Sequence, residues 1–322
     1  MRIGKITENA LKRSVLKLIK TDFKESTSAA VGADCAFSAS KRVYSATATY
    51  ALQSEDIGYF AVMKAVNSLV AQGISPDHVN VSILLDENTE EIKLKEIVRS
   101  CIEGCKKSET VYAGGHTEVS NAVNRPVITA TCVGYKQEQY SPEKPKAGQA
   151  LVISKWIGLE GTALLAKEKK EELTGKYPVP FINDAADFKE YIQVADEAAV
   201  AIKSGVSAIH DLSNGGVFAA LWEMGERAGC GLKVNLKNIP IRQETVEICE
   251  FFEINPYQLL AGGALLFATD DGEKLVTELE NAGIPATVVG FLQDGKDKII
   301  VNEDESRFLE MPQADEIHKI LG

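Results

Sequence analysis

A polar stretch at 136–150, KQEQYSPEKPKAGQA, interrupts a chain otherwise rich in strand and helix signals. Its two prolines and one glycine argue against a buried element there, so the chain divides into 1–145 and 146–322. A length of 322 residues exceeds the usual single-core size, which favours the same division.

Before the break, RVYSATATYAL, VNVSILL and PVITATCVGY read as strands. The spacing predicts a helix over 55–72, opened by Ser54 and Asp56 and closed by Gly73, with Pro76 beyond. A second helix over 90–106 repeats Ile92, Leu94, Ile97 and Val98 at helical spacing. After the break, ALVISK, ALLFATD and ATVVGFL read as strands. Helices are expected over 161–170, over 184–203 (stopped by Gly205) and over 214–228 (ended by Gly229). Strands and helices come in mixed order, which favours an α+β fold, sheets with helices on one face, over a doubly wound sheet.

Net charge is −11, and the resulting acidic surface argues against nucleic acid or anionic lipid as a partner. A small anionic ligand stays open, because it needs only local positive potential. No apolar run is long enough to span a membrane and the first twenty residues do not read as a signal peptide, so a cytoplasmic protein is expected. The six cysteines are scattered without a Cys-x-x-Cys pair. Cys101 and Cys105, four apart on the second helix, read as reduced core residues rather than as a metal grip.

Neither a Walker phosphate loop nor a Gly-x-Gly-x-x-Gly turn is present, so any nucleotide must bind by another scheme. Two glycine-rich spots are candidates. In VYAGGHTEV, a strand runs into Gly114 and Gly115, then His116, Thr117 and Glu118. Paired glycines expose amides to an anion, although a tight turn with a surface histidine would read alike. In HDLSNGGVFAALWEMGERAG, His210 and Asp211 precede a helix start at Gly215 and Gly216, where free amides and the helix dipole favour an anion. Asn67 is a polar residue inside an apolar helix. Asp34, in VGADCAF, is the only charged residue between Glu25 and Lys41 and reads as a turn residue or a site ligand.

Taken in order, GKITENALKRSVLK, GADCAF, EDIGYFAVMKAVNSLVAQGISP, AGGHTEV, GLEGTALLA and HDLSNGGVFAALWEMGERAGCG resemble blocks of the AIR synthase-related (PurM-like) superfamily. They are most similar to its HypE-like, hydrogenase-maturation branch. The resemblance implies a two-domain α+β protomer, paired with its twin through a β-barrel-like interface of the N-terminal domains. It also implies ATP between the domains, held through Mg2+ by acidic residues, and activation of an oxygen or phosphoryl transfer to a small acceptor.

Carried over by position, Asp34 matches a metal-ligating acid, and Asn67, Gly114, Gly115, His116, Thr117, His210, Gly215 and Gly216 match nucleotide-site residues. His116 and Asp211 match positions near the chemistry. The pattern is depleted elsewhere. Ala33, the acid-free SATATY at 45–50, Ser68 and Leu212 replace residues common in relatives. Whether Glu118 or Asp56 replaces the lost ligands stays open. The resemblance also ties the HypE reaction to a C-terminal cysteine, whereas this sequence ends HKILG and its last cysteine is Cys249. Three readings follow: an ATP-binding, HypE-like protein that activates a small acceptor, a catalytically degenerate homologue serving as a dimeric assembly partner of a maturation-type protein, and a small-metabolite kinase similar to thiamine-monophosphate kinase.

Overall fold

The computed structural model describes residues 7–22, 30–31, 36–38, 43–136 and 143–322. In the N-terminal part these are α1 (Glu8–Leu11), a π-helical turn (Lys12–Leu16), α2 (Lys17–Asp22), β1 (Ala36–Ser38), β2 (Val43–Tyr50), α3 (Ile57–Val70), β3 (Ile74–Leu85), α4 (Glu91–Lys107), β4 (Val111–Val119) and β5 (Val127–Lys136). The C-terminal part runs β6 (Ala150–Ser154), α5 (Leu159–Glu168), α6 (Lys170–Leu173), α7 (Val179–Ala186), α8 (Ala195–Ser204), β7 (Ala208–Asp211), α9 (Gly216–Ala228) and β8 (Gly231–Asn235). It continues with α10 (Gln243–Phe251), β9 (Leu265–Thr269), α11 (Gly272–Asn281), β10 (Ala286–Gln293), β11 (Lys298–Asn302), β12 (Glu305–Phe308) and α12 (His318–Leu321).

The first sheet has the order β1-β2-β5-β3-β4. Alternation along β2 and β5 turns Ala46, Ala48, Ile128, Ala130 and Cys132 inward and Thr47, Thr49, Thr129 and Thr131 outward. Facing hydroxyls pair across the strands, Thr47 with Thr131 and Thr49 with Thr129, each at 3.0 Å. Helices α3 and α4 cover the inner face. They approach closely because Gly58 lies against the Ile97 carbonyl, where a Cβ would meet the oxygen at 2.6 Å. Cys101 and Cys105 are buried in this contact, and burial pushes the Cys101 thiol up to about 12.

The second sheet has the order β12-β11-β8-β10-β6-β9-β7. Its middle strands β6 and β9 are buried at every position, as strands covered on both faces must be. Leu151 and Ile153 pack toward α9, whereas Val152, Leu265 and Phe267 join a core shared with α3 of the first domain. Helices therefore cover both faces here, which corrects the expectation of one covered face. The continuous apolar runs ALVI and LLFA in these strands are the reason.

Two further expectations change. The helix expected over 184–203 is instead the end of α7, a 3-10 turn (Asp187–Tyr191), a break and then α8. The carbonyls there are captured from elsewhere: Lys155 Nζ donates to Tyr191 O (2.7 Å) and Gln193 O (2.8 Å), and Asn67 Nδ2 donates to Ile192 O (2.7 Å). In VYAGGHTEV the chain does not turn. It continues as β4, parallel to β3, with Gly115 opposite Val81 and His116 opposite Ser82. Gly115 is required there, since its φ is +149° and a Cβ would fall 1.8 Å from the Val81 oxygen.

Candidate functional site

A cavity of about 430 Å³ lies between the two domains. One wall is the β2 segment Thr47–Tyr50 with Ala51 and Leu52, and another is α3 through Lys64 and Ser68. The C-terminal domain contributes His210 and Asp211 at the end of β7, then Ser213, Asn214 and Glu223, and α12 adds His318.

Helix α3 is apolar and buried except on the face carrying Lys64 and Ser68, which are four apart and so share one side. The Lys64 ammonium donates to Asn214 Oδ1 and lies 5.7 Å from the Tyr50 ring centre. Beneath the cavity, the Tyr50 hydroxyl donates to Glu160, a wholly buried carboxylate at the start of α5. Burial, followed by the Glu160 charge, holds the Tyr50 phenol well above its ordinary value, so it stays a donor. On the opposite wall His210 Nε2 lies 3.0 Å from Glu223 Oε2, linking β7 to α9.

The start of α9 is a tight, left-handed turn. Gly215 has φ +82° and Gly216 has φ +65°, and a Cβ on Gly216 would meet the Tyr257 carbonyl at 2.5 Å. No side chain of Ser213 or Asn214 caps the helix. The anion at this end is Asp315, from the segment before α12. Its Oδ2 accepts from the Gly215 amide (2.6 Å), and its Oδ1 accepts from Leu260 (3.1 Å) and Ile317 (3.0 Å). Asp315 is 3% exposed. It fastens the C-terminal segment so that His318 reaches the cavity, and the Leu321 carbonyl accepts from Gln53 just after β2 (3.4 Å). Burial holds the His318 imidazole below the usual histidine range, so it is neutral at pH 7.

Of the residues singled out in the sequence, His210 and Asp211 line the cavity together. Gly215 lines an adjoining crevice with Glu8, Trp222 and Asp315, and Gly216 shapes the turn. Asn67 does not line the cavity, because its amide is turned to the Ile192 carbonyl. Gly114, Gly115, His116 and Thr117 lie on the exposed edge strand β4, away from the cavity walls. Asp34 and Ala33 lie outside the described residues. Glu118 pairs with His116 at 3.1 Å, and Asp56 is held by Lys167 (2.7 Å) and Lys189 (3.0 Å). Sequence reading missed Lys64, Glu223, Asp315 and His318. A signal existed for Lys64, the single charged residue of α3.

The described cavity walls do not by themselves supply a magnesium cluster. Asp211 and Glu223 are the carboxylates on the described cavity walls, and Glu223 is already bonded to His210. Among the described residues, no three of His, Cys, Asp and Glu come together as metal ligands. Magnesium needs several hard oxygens at short range.

Two α+β domains with a polar cavity between them define the architecture of the chain. Residues 14–135 match the AIR synthase related protein, N-terminal domain, and residues 146–302 match its C-terminal domain. The chain belongs to the AIR synthase-related (PurM-like) superfamily, in its HypE-like branch. It is 26% identical over 272 residues to a hydrogenase expression/formation protein of Methanocaldococcus jannaschii, covering 82% of this chain and 79% of that one. It is 28% identical over 222 residues to the carbamoyl dehydratase HypE of Rhodobacter capsulatus, covering 68% and 63%. Among solved structures, a HypE–HypF complex superposes with a TM-score of 0.77 at 22% identity, covering 93% of this chain and 100% of that one. HypE in complex with ATP gives 0.73 at 17% identity, covering 98% and 97%. AaThiL complexed with AMPPCP and TMP gives 0.72 at 20% identity, covering 96% and 98%. No helix among the described residues is long and apolar enough to cross a membrane.

Proposed function

We propose that this chain binds ATP or a related phosphate-bearing compound in the cavity between its domains, and uses it to activate a small oxygen-bearing acceptor. The observation that carries this reading is the convergence of Lys64, His210, Asp211 and His318 on one cavity of ordinary small-ligand size. The shared fold with HypE in complex with ATP supports placing a nucleotide there. Asp211 is the proposed acceptor of a proton or hydroxyl hydrogen from the acceptor molecule. His210 is oriented by Glu223, to which Nε2 donates, so toward the ligand its Nδ1 accepts in the neutral ring and donates only in the imidazolium.

Calorimetry with ATP tests the reading. Wild-type chain should give a saturable heat, and Ser68→Trp, which fills the cavity from the half-buried face of α3, should weaken binding by about tenfold or more. No heat, or undiminished binding by a folded Ser68→Trp, would contradict it.

A second reading is a catalytically silent member that serves as a binding or assembly partner. It is favoured by Asp315, which fills the amide cradle where a ligand anion would otherwise sit. The HypE–HypF complex makes a maturation-type protein the partner of choice in that case. Both readings include a homodimer through the first sheet, whose hydroxyl-lined outer face and exposed edge strand β4 lack a covering element among the described residues. Sedimentation equilibrium should give twice the chain mass, and a monomer at micromolar concentration would rule the dimer out.

A further inference from the structure

We propose that Lys64 takes the place of a divalent cation in the cleft, its ammonium serving as the fixed counter-charge for a nucleotide's phosphates, so that the nucleotide binds without magnesium. This rests on reading the cavity as a phosphate-ligand site.

Lys64 is the only charged side chain of α3 and the one lysine or arginine among the described cavity walls. An ammonium placed on a buried apolar helix is costly unless something holds it there. It is held from several sides. Asn214 Oδ1 accepts its hydrogen bond, the Tyr50 ring faces it, and the buried carboxylates of Glu160 and Asp315 both feel its charge. The position is therefore built, and it opens on the same space as His210, Asp211 and His318.

The chemistry around it points the same way. Strand β2 carries no acid from Ser45 to Tyr50, and Glu223 is engaged by His210. A metal ion seated beside Lys64 would be repelled by it at close range. A phosphate oxygen would be attracted, and an ammonium donates to phosphate as a point charge without needing a ligand shell.

The test is calorimetry of the full chain with ATP and with adenosine, each in EDTA and in excess magnesium. ATP in EDTA should bind within about threefold of its affinity in magnesium, and about tenfold or more tighter than adenosine. Lys64→Gln should lose about tenfold or more of the ATP affinity in EDTA and leave adenosine unchanged, whereas Lys64→Arg should keep most of it. ATP binding that requires magnesium, or that survives Lys64→Gln, overturns this inference and leaves the phosphate-ligand reading standing. Absence of ATP binding in both buffers overturns the two together. Should Lys64→Gln fail to fold, the wild-type comparison in EDTA decides alone.

Discussion

Asp315→Ala is expected to cost about 3–4 kcal/mol of stability and to release the C-terminal segment from the cleft. The carboxylate accepts from the amides of Gly215, Leu260 and Ile317, and it is almost entirely buried. Removing it leaves three amides without their acceptor in a dry site, including the N-cap amide of α9, where the helix dipole favours an anion. Asp315→Asn should recover only part of the loss, because one of its two side-chain atoms becomes a donor facing a donor. Urea unfolding followed by circular dichroism measures the cost. Limited proteolysis reads the release as new cleavage within residues 313–322, including tryptic cleavage at Lys319. An Asp315→Ala protein as stable and as protease-resistant as wild type would show that the tether is not made in solution.

Asp56→Ala is expected to cost about 2–3 kcal/mol, because it removes the shared partner of two lysines at the domain interface. Lys167 comes from α5 and Lys189 from the turn after α7, and Lys189 also reaches Glu103 of α4 at 2.7 Å and stacks over Tyr59. Burial pushes the Asp56 carboxyl up, but the hydrogen bonds and charges of Lys167 and Lys189 outweigh it and hold the group below the usual carboxylate value. A carboxyl depressed on folding contributes stability that is present above its unfolded value, near pH 4, and is lost as the pH falls through the folded value. Wild type should therefore lose stability more steeply than Asp56→Ala below about pH 4, and the two should converge at the acid end. Equal slopes for both proteins would remove Asp56 from the account of acid unfolding. The same geometry removes Asp56 as a replacement metal ligand, since both carboxylate oxygens are taken by lysine.

Much of the fold was legible because it follows from local pattern. The period of two in ITATC and the turn signals around α3 and α4 put those elements within a few residues of where they fold. What was not legible depends on partners far away in sequence. The break after Tyr191 exists because Lys155 and Asn67 capture three successive carbonyls, and nothing inside 184–203 announces that. The two glycines in VYAGGHTEV signal a turn by composition, yet they permit a close strand, because Gly115 lies directly against the Val81 backbone.

The candidate site divides in the same way. His210, Asp211 and the Gly215–Gly216 helix start could be found because strand, turn and helix follow one another in the chain. Lys64 carried a local signal, a lone charge in an apolar helix, which only the opposing wall of the cavity makes meaningful. Asp315 carried none. Its partners are set by the C-terminal segment crossing back over residues 100 and 55 positions away.

The space between β2, α3, β7 and α9 is proposed to hold a phosphate-bearing ligand. A crystal structure of the full chain with AMPPCP tests it most directly. The nucleotide is expected between the domains, with its phosphates against Lys64 and its other polar groups within reach of His210 and Asp211. An analogue seated elsewhere, such as the groove of Asp86, Lys93 and Arg125, or bound in the cleft with its phosphates away from Lys64, would contradict it.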